Sequence, residues 1–88
     1  MSNSAVIKFV NHSSRLELDL EVPLDITAQD LFLALNRSLD LGINEKDRYN
    51  YFLKADKPLA FLSGMETLDK FGVRNGTIIN FVRSDYNG

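Results

Sequence analysis

Leu16-Glu-Leu-Asp-Leu-Glu-Val22, followed at once by Pro23-Leu-Asp-Ile-Thr27, decides how this chain folds. Apolar and acidic residues alternate through Val22 without a fault, the period of a strand with one dry and one wet face. Leu16, Leu18, Leu20 and Val22 then face a core, and Glu17, Asp19 and Glu21 face water. Pro23 has no N–H to donate and is expected to end the pairing. Upstream, Ala5-Val-Ile-Lys-Phe-Val10 is a second apolar run. If Lys8 points to water, Ile7 and Phe9 point inward and Val6 and Val10 outward. Asn11-His-Ser-Ser14 between the two runs is a polar turn, so they form an antiparallel hairpin.

Downstream, the period changes. Thr27 suits a helix N-cap, and Gln29 and Asp30 suit a first turn. The helix is expected to run to Leu39 or Asp40, with Gly42 as its stop. At 100° per residue Ala28, Leu31, Leu35 and Leu39 make one apolar stripe flanked by Phe32. Leu33 falls almost opposite, as a harmless exposed leucine or as part of a contact surface. Ile43 to Arg48 is a polar connection. Tyr49 to Lys54 reads as a third strand, with Tyr49, Tyr51 and Leu53 on one face and Asn50, Phe52 and Lys54 on the other. Ala55-Asp-Lys-Pro58 is a turn, and Leu59 to Leu62 a short fourth strand. In the compact segment Thr67 to Val73, Leu68 and Val73 should plug the core. Asn75-Gly76 is a tight turn. The last strand, Thr77 to Arg83, sets Ile79 and Phe81 against Ile78, Asn80 and Val82, and Ser84 to Gly88 is a polar tail.

The order strand, strand, helix, strand, strand, strand supplies one amphipathic helix with one stripe to bury, and a twisted mixed sheet can cover it. The expected fold is α+β: a β-grasp, a five-stranded mixed sheet packed on one helix. At 88 residues it is expected to be one domain over 1–88, with an ordered core about 5–83. A chain this short buries only about 60% of its extended surface, enough for a modest core. Its 44% apolar and 25% charged residues are those of an ordinary globular protein.

Composition excludes several classes of function. No apolar run approaches a membrane span, and no signal peptide is evident at the N-terminus. With no cysteine there is no disulfide, thiol nucleophile or thiolate metal site. These features lead to an expected cytoplasmic location. A net charge of −2 and scattered Lys and Arg residues argue against nucleic acid. The one histidine, His12, sits in a polar turn and reads as a solvated turn residue. Glu66 and Asp69 read as local hydrogen-bonding groups, and Glu17, Asp19 and Glu21 as the wet face of a strand. No catalytic constellation, phosphate loop or metal set stands out, so the expectation is a non-enzyme with no cofactor.

From Val6 to Arg83 the chain resembles ubiquitin. The resemblance rests on Leu20-Glu-Val-Pro23 closing the second strand, Asp25-Ile-Thr27 opening the helix, and Gly64 with Thr67-Leu-Asp-Lys-Phe-Gly-Val73 before the last strand. Within that superfamily it is most similar to the bacterial YukD/EsaB-type ubiquitin-like proteins of Gram-positive type VII secretion systems. Phe52-Leu-Lys-Ala-Asp-Lys57, Leu62-Ser-Gly64 and Thr67-Leu-Asp-Lys-Phe-Gly-Val-Arg-Asn-Gly-Thr-Ile-Ile79 carry that likeness. It implies an accessory or regulatory component on the cytoplasmic side of a secretion machine, with protein partners among the secretion components. Ubiquitin relatives bind partners through the sheet at positions matching Phe52, Asn80 and Val82. The candidate protein-binding residues are therefore Phe52, Ile78, Asn80 and Val82 on the outward sheet face, with Leu33 on the helix side. The alternative role, covalent modifier or sulfur carrier, needs a C-terminal Gly-Gly that threads an enzyme channel. The ending Tyr86-Asn-Gly88 puts a side chain there and disfavours that role. Sheet edges could also mediate self-association, and the sequence leaves the oligomeric state open.

Overall fold

A computed structural model describes residues 3–44 and 50–83. Tyr49, the connection from Glu45 to Arg48 and the tail from Ser84 lie outside the described residues. The elements are β1 (Ser4–Asn11), β2 (Leu16–Pro23), α1 (Ala28–Ser38), β3 (Tyr51–Asp56), β4 (Ala60–Leu62) and β5 (Ile78–Arg83). The sheet order is β2-β1-β5-β3-β4. β1 and β5 run parallel at its centre, and the other neighbours are antiparallel. It is the mixed five-stranded sheet on one helix that the residue pattern requires.

Alternation works as expected along β1, β3 and β5. Ile7, Phe9, Leu53, Ala55, Ile79 and Phe81 turn to the inner face and are buried with Ala28, Leu31 and Leu35 of the helix. Phe81 is the aromatic centre of this core, its ring 5.2 Å from Tyr51, 6.1 Å from Phe32 and 6.4 Å from Phe9 by centroids. The inward row of β2 is less covered. Val22 is buried, but Leu16, Leu18 and Leu20 are half-buried because β2 is an edge strand with a neighbour on one side only.

The helix opens as its sequence requires, with Thr27 Oγ1 accepting the N–H of Asp30 at 3.0 Å. Two more of the first-turn N–H groups, which have no partner inside a helix, are met by the chain between β4 and β5. Ala28 N–H donates to Glu66 O, and Gln29 N–H to Gly64 O, both at 2.9 Å. Leu68 and Asp69 donate in turn to the carbonyls of Ile26 and Leu24. These bonds sew Gly64 to Asp69 onto the helix start and drive Leu68 and Val73 into the core.

Several boundaries differ from expectation for tertiary reasons. β3 runs on through Ala55 and Asp56, which read as turn residues, because both pair with β5 opposite Ile79 and Ile78. The turn begins at Lys57 instead, and Leu59 is left exposed before β4. The helix stops at Ser38 with Leu39 as its C-cap, and Asp40 at φ 52° takes the left-handed position ahead of Gly42. Pro23 does not cut the pairing short. It lies opposite Ser4, and Leu24 N–H still donates to Asn3 O at 2.7 Å. That bond makes Asn3 and Leu24 a hydrogen-bonded pair, so Ser4 and Pro23 form the next, non-bonded pair, where no proline N–H is needed.

Candidate interaction surface

With the inner face filled by the helix, the outer face of the sheet is the broad surface left open. From the β4 edge to the β2 edge it presents Phe61; then Phe52, Lys54 and Asp56; then Val82, Asn80 and Ile78; then Val10, Lys8 and Val6; then Glu17, Asp19 and Glu21. Phe52 lies directly opposite Val82 across the β3–β5 ladder, the neighbour relation expected from sequence. Diagonal to it stands Phe61, ring centroids 5.7 Å apart, with more than half of Phe61 exposed. An open groove of about 390 Å³ meets Phe52 on its helix side, between Phe32, Tyr51 and Leu62. A second hollow of about 360 Å³ flanks Val82 beside His12 and Arg83. The β4-side of the face is therefore aromatic, apolar and flanked by two depressions.

The other candidates separate from this cluster. Ile78 is half-buried at the far end of β5, between Lys8 and Asp56. Leu33 is exposed on the helix, whose packed side covers the opposite face of the sheet, so it cannot join a patch with Phe52. Asn80 is buried, and its amide is fully engaged. Nδ2 donates to Asp56 Oδ2 at 2.9 Å and to Lys54 O at 3.1 Å. Oδ1 lies 2.9 Å from His12 Nε2. With Nδ2 donating, Oδ1 is the acceptor, so His12 Nε2 carries the proton and donates. His12 is thus not merely a solvated turn residue: its exposed ring ties the β1–β2 turn to β5. Val10 lies beside this group. It points outward as expected but is buried, lying between Glu17 of β2 and Asn80 of β5.

Sequence reasoning did not single out Phe61. A strand of only three residues shows no period, and the signal was indirect: Leu62 faces the core, so its neighbour faces out. At the opposite edge, Glu17, Asp19 and Glu21 are all exposed. Lys8 Nζ lies 3.8 Å from Glu17, and Ser4 Oγ donates to Glu21 at 2.6 Å. Glu66 pairs with Lys70 at 3.8 Å, and Thr67 Oγ1 donates to Asp69, the local roles expected for that turn. Exposed pairs of this kind contribute little to stability. Among the described residues no three His, Cys, Asp or Glu side chains are grouped to hold a metal, and no helix is long and apolar enough to cross a membrane.

One helix held against a mixed sheet of this order, with parallel central strands, defines a ubiquitin-like β-grasp protein. Solved structures of that class superpose on it closely. The ubiquitin-like domain of tubulin-binding cofactor B has a TM-score of 0.74 at 18% identity, covering 94% of this chain and 92% of that one. The C-terminal ubiquitin-like domain of mouse tubulin-specific chaperone e has 0.73 at 18%, covering 99% and 93%. Caldiarchaeum subterraneum ubiquitin has 0.69 at 21%, covering 97% and 99%. At such identities the likeness establishes the fold alone. Residues 6–80 match the family model of protein YukD of the WXG100 protein secretion system (Wss), and the chain belongs to that family. No protein of curated function matches it.

Proposed function

We propose that this protein is a non-catalytic accessory or regulatory component of a WXG100, or type VII, secretion system in a Gram-positive bacterium. It acts in the cytoplasm by presenting the outer sheet face to protein components of that machinery. The observation that carries this reading is the aromatic pair of half-buried Phe52 and exposed Phe61 beside half-buried Val82, in a chain of the YukD family. Large apolar side chains gathered on a rigid sheet and rimmed by polar groups mark protein interaction sites more often than chance. Family membership supports the secretion role. The commitment of the one histidine to Asn80, in a chain without cysteine, supports a binding rather than a chemical role.

The test is genetic and structural together. Deleting the gene should lower export of WXG100 proteins, and the wild-type chain should restore it. F61D and V82D should accumulate and melt like wild type yet fail to restore export. Full restoration by both variants would remove the outer face from the mechanism.

A further inference from the structure

β2 closes the sheet on one side, and among the described residues nothing pairs with its free edge. The hydrogen bonds of β1 show which of its backbone groups are unused. Val6 N–H donates to Asn75 Oδ1, Val6 O accepts from Gly76 N–H, and Lys8 N–H donates to Thr77 O. Val6 and Lys8 therefore turn their backbone groups away from β2, which makes Val6–Glu21 and Lys8–Asp19 non-bonded pairs. Glu21, Asp19 and, by the same period, Glu17 direct their N–H and C=O groups outward from the sheet. Pro23 is the next position of that row, and its missing N–H closes it. The free edge is a template of three residues with a built-in stop.

We propose that this edge takes up an extended segment of a partner chain in which basic and apolar residues alternate. The exposed side chains of the three template residues are all acidic. Directly opposed opposite charges favour pairing, and like charges oppose it. A second copy of β2 is rejected for that reason, since antiparallel pairing about Asp19 sets Asp19 on Asp19 and Glu17 on Glu21. A basic residue opposite each acid is accepted. Between them, apolar residues of the incoming strand fall on the inner face beside Leu16, Leu18 and Leu20, which are only half-buried. Main-chain bonds provide adhesion and the alternating side chains provide selection. The edge is separate from the Phe52–Phe61 cluster, and failure of this inference leaves the secretion reading standing.

The probe is an acetylated, amidated heptapeptide of alternating Lys and Val, added to the full chain labelled for NMR. Binding should slow exchange of the Glu17, Asp19 and Glu21 amides, which pair with nothing among the described residues. Three controls are expected to lose binding by about tenfold or more: the Glu–Val peptide, the Lys–Val peptide with methylated backbone nitrogens, and the E17K/D19K/E21K protein. The triple variant should instead take the Glu–Val peptide, which shows that its fold and edge are intact. Equal binding of the N-methylated peptide, or binding without protection of those three amides, would show adsorption by charge alone and overturn the proposal. So would no binding at millimolar peptide.

Discussion

Asn80 donates through Nδ2 to the Asp56 carboxylate at 2.9 Å, joining β5 to β3 by side chains across the ladder that their backbones already share. With the further bonds to Lys54 O and His12, one buried amide links β3, β5 and the β1–β2 turn. Removing it leaves several polar groups short of a partner. Asn80→Ala should cost about 1–3 kcal/mol in urea denaturation. Asn80→Asp should cost more at neutral pH, because it sets a second carboxylate against Asp56.

Thr77 is fully buried just before β5, with Oγ1 donating to Lys57 O at 2.9 Å and accepting Arg74 N–H at 3.0 Å. Thr77→Val keeps the shape and deletes both bonds. A loss of about 1–3 kcal/mol is expected, measured by thermal or urea unfolding. A neutral result would mean that these two hydrogen bonds contribute nothing net to stability.

Gly72 sits at φ 86°, and a Cβ there would approach Pro58 Cγ to 3.0 Å. Gly72→Ala therefore meets both the left-handed backbone penalty and a crowded neighbour, for about 1–2 kcal/mol or more. Gly42, at φ 74° with nothing within 4 Å, is the matched control. Gly42→Ala should show the backbone part alone and cost less.

Leu68, with no exposed surface, is the loop residue that the helix-start bonds force inward. Leu68→Ala should destabilise by about 2–5 kcal/mol. Weakening this plug should also speed amide exchange at Ala28 and Gln29, whose carbonyl partners belong to the same segment.

Phe61→Asp separates surface from core. More than half of this side chain already meets water, so the stability change should stay within about 1 kcal/mol. A larger loss by calorimetry would mean that the Phe52–Phe61 contact is part of the packing rather than a free surface.

Much of the fold was legible because it depends on local periods. Leu16 to Val22 could be nothing but a strand with one wet face, and Ala28, Leu31 and Leu35 could only be buried together. Leu68 and Val73 stood out as apolar residues stranded among turn formers. Element ends were less legible: Ala55 and Asp56 read as a turn because their β5 partners, Ile79 and Ile78, lie more than twenty positions away.

What the sequence determined by itself was which residues face inward and in what order the elements follow, because side-chain period and turn chemistry act over a few neighbouring residues. The tertiary structure alone decided that Phe61 stands beside Phe52, that Asn80 serves as an internal tie, and that Leu33 lies on the opposite side of the molecule. It also decided that the free groups of Glu17, Asp19 and Glu21 form an open edge. Each of these depends on which strand lies next to which and in what register, a relation set by burying one shared core and not by any local stretch of chain.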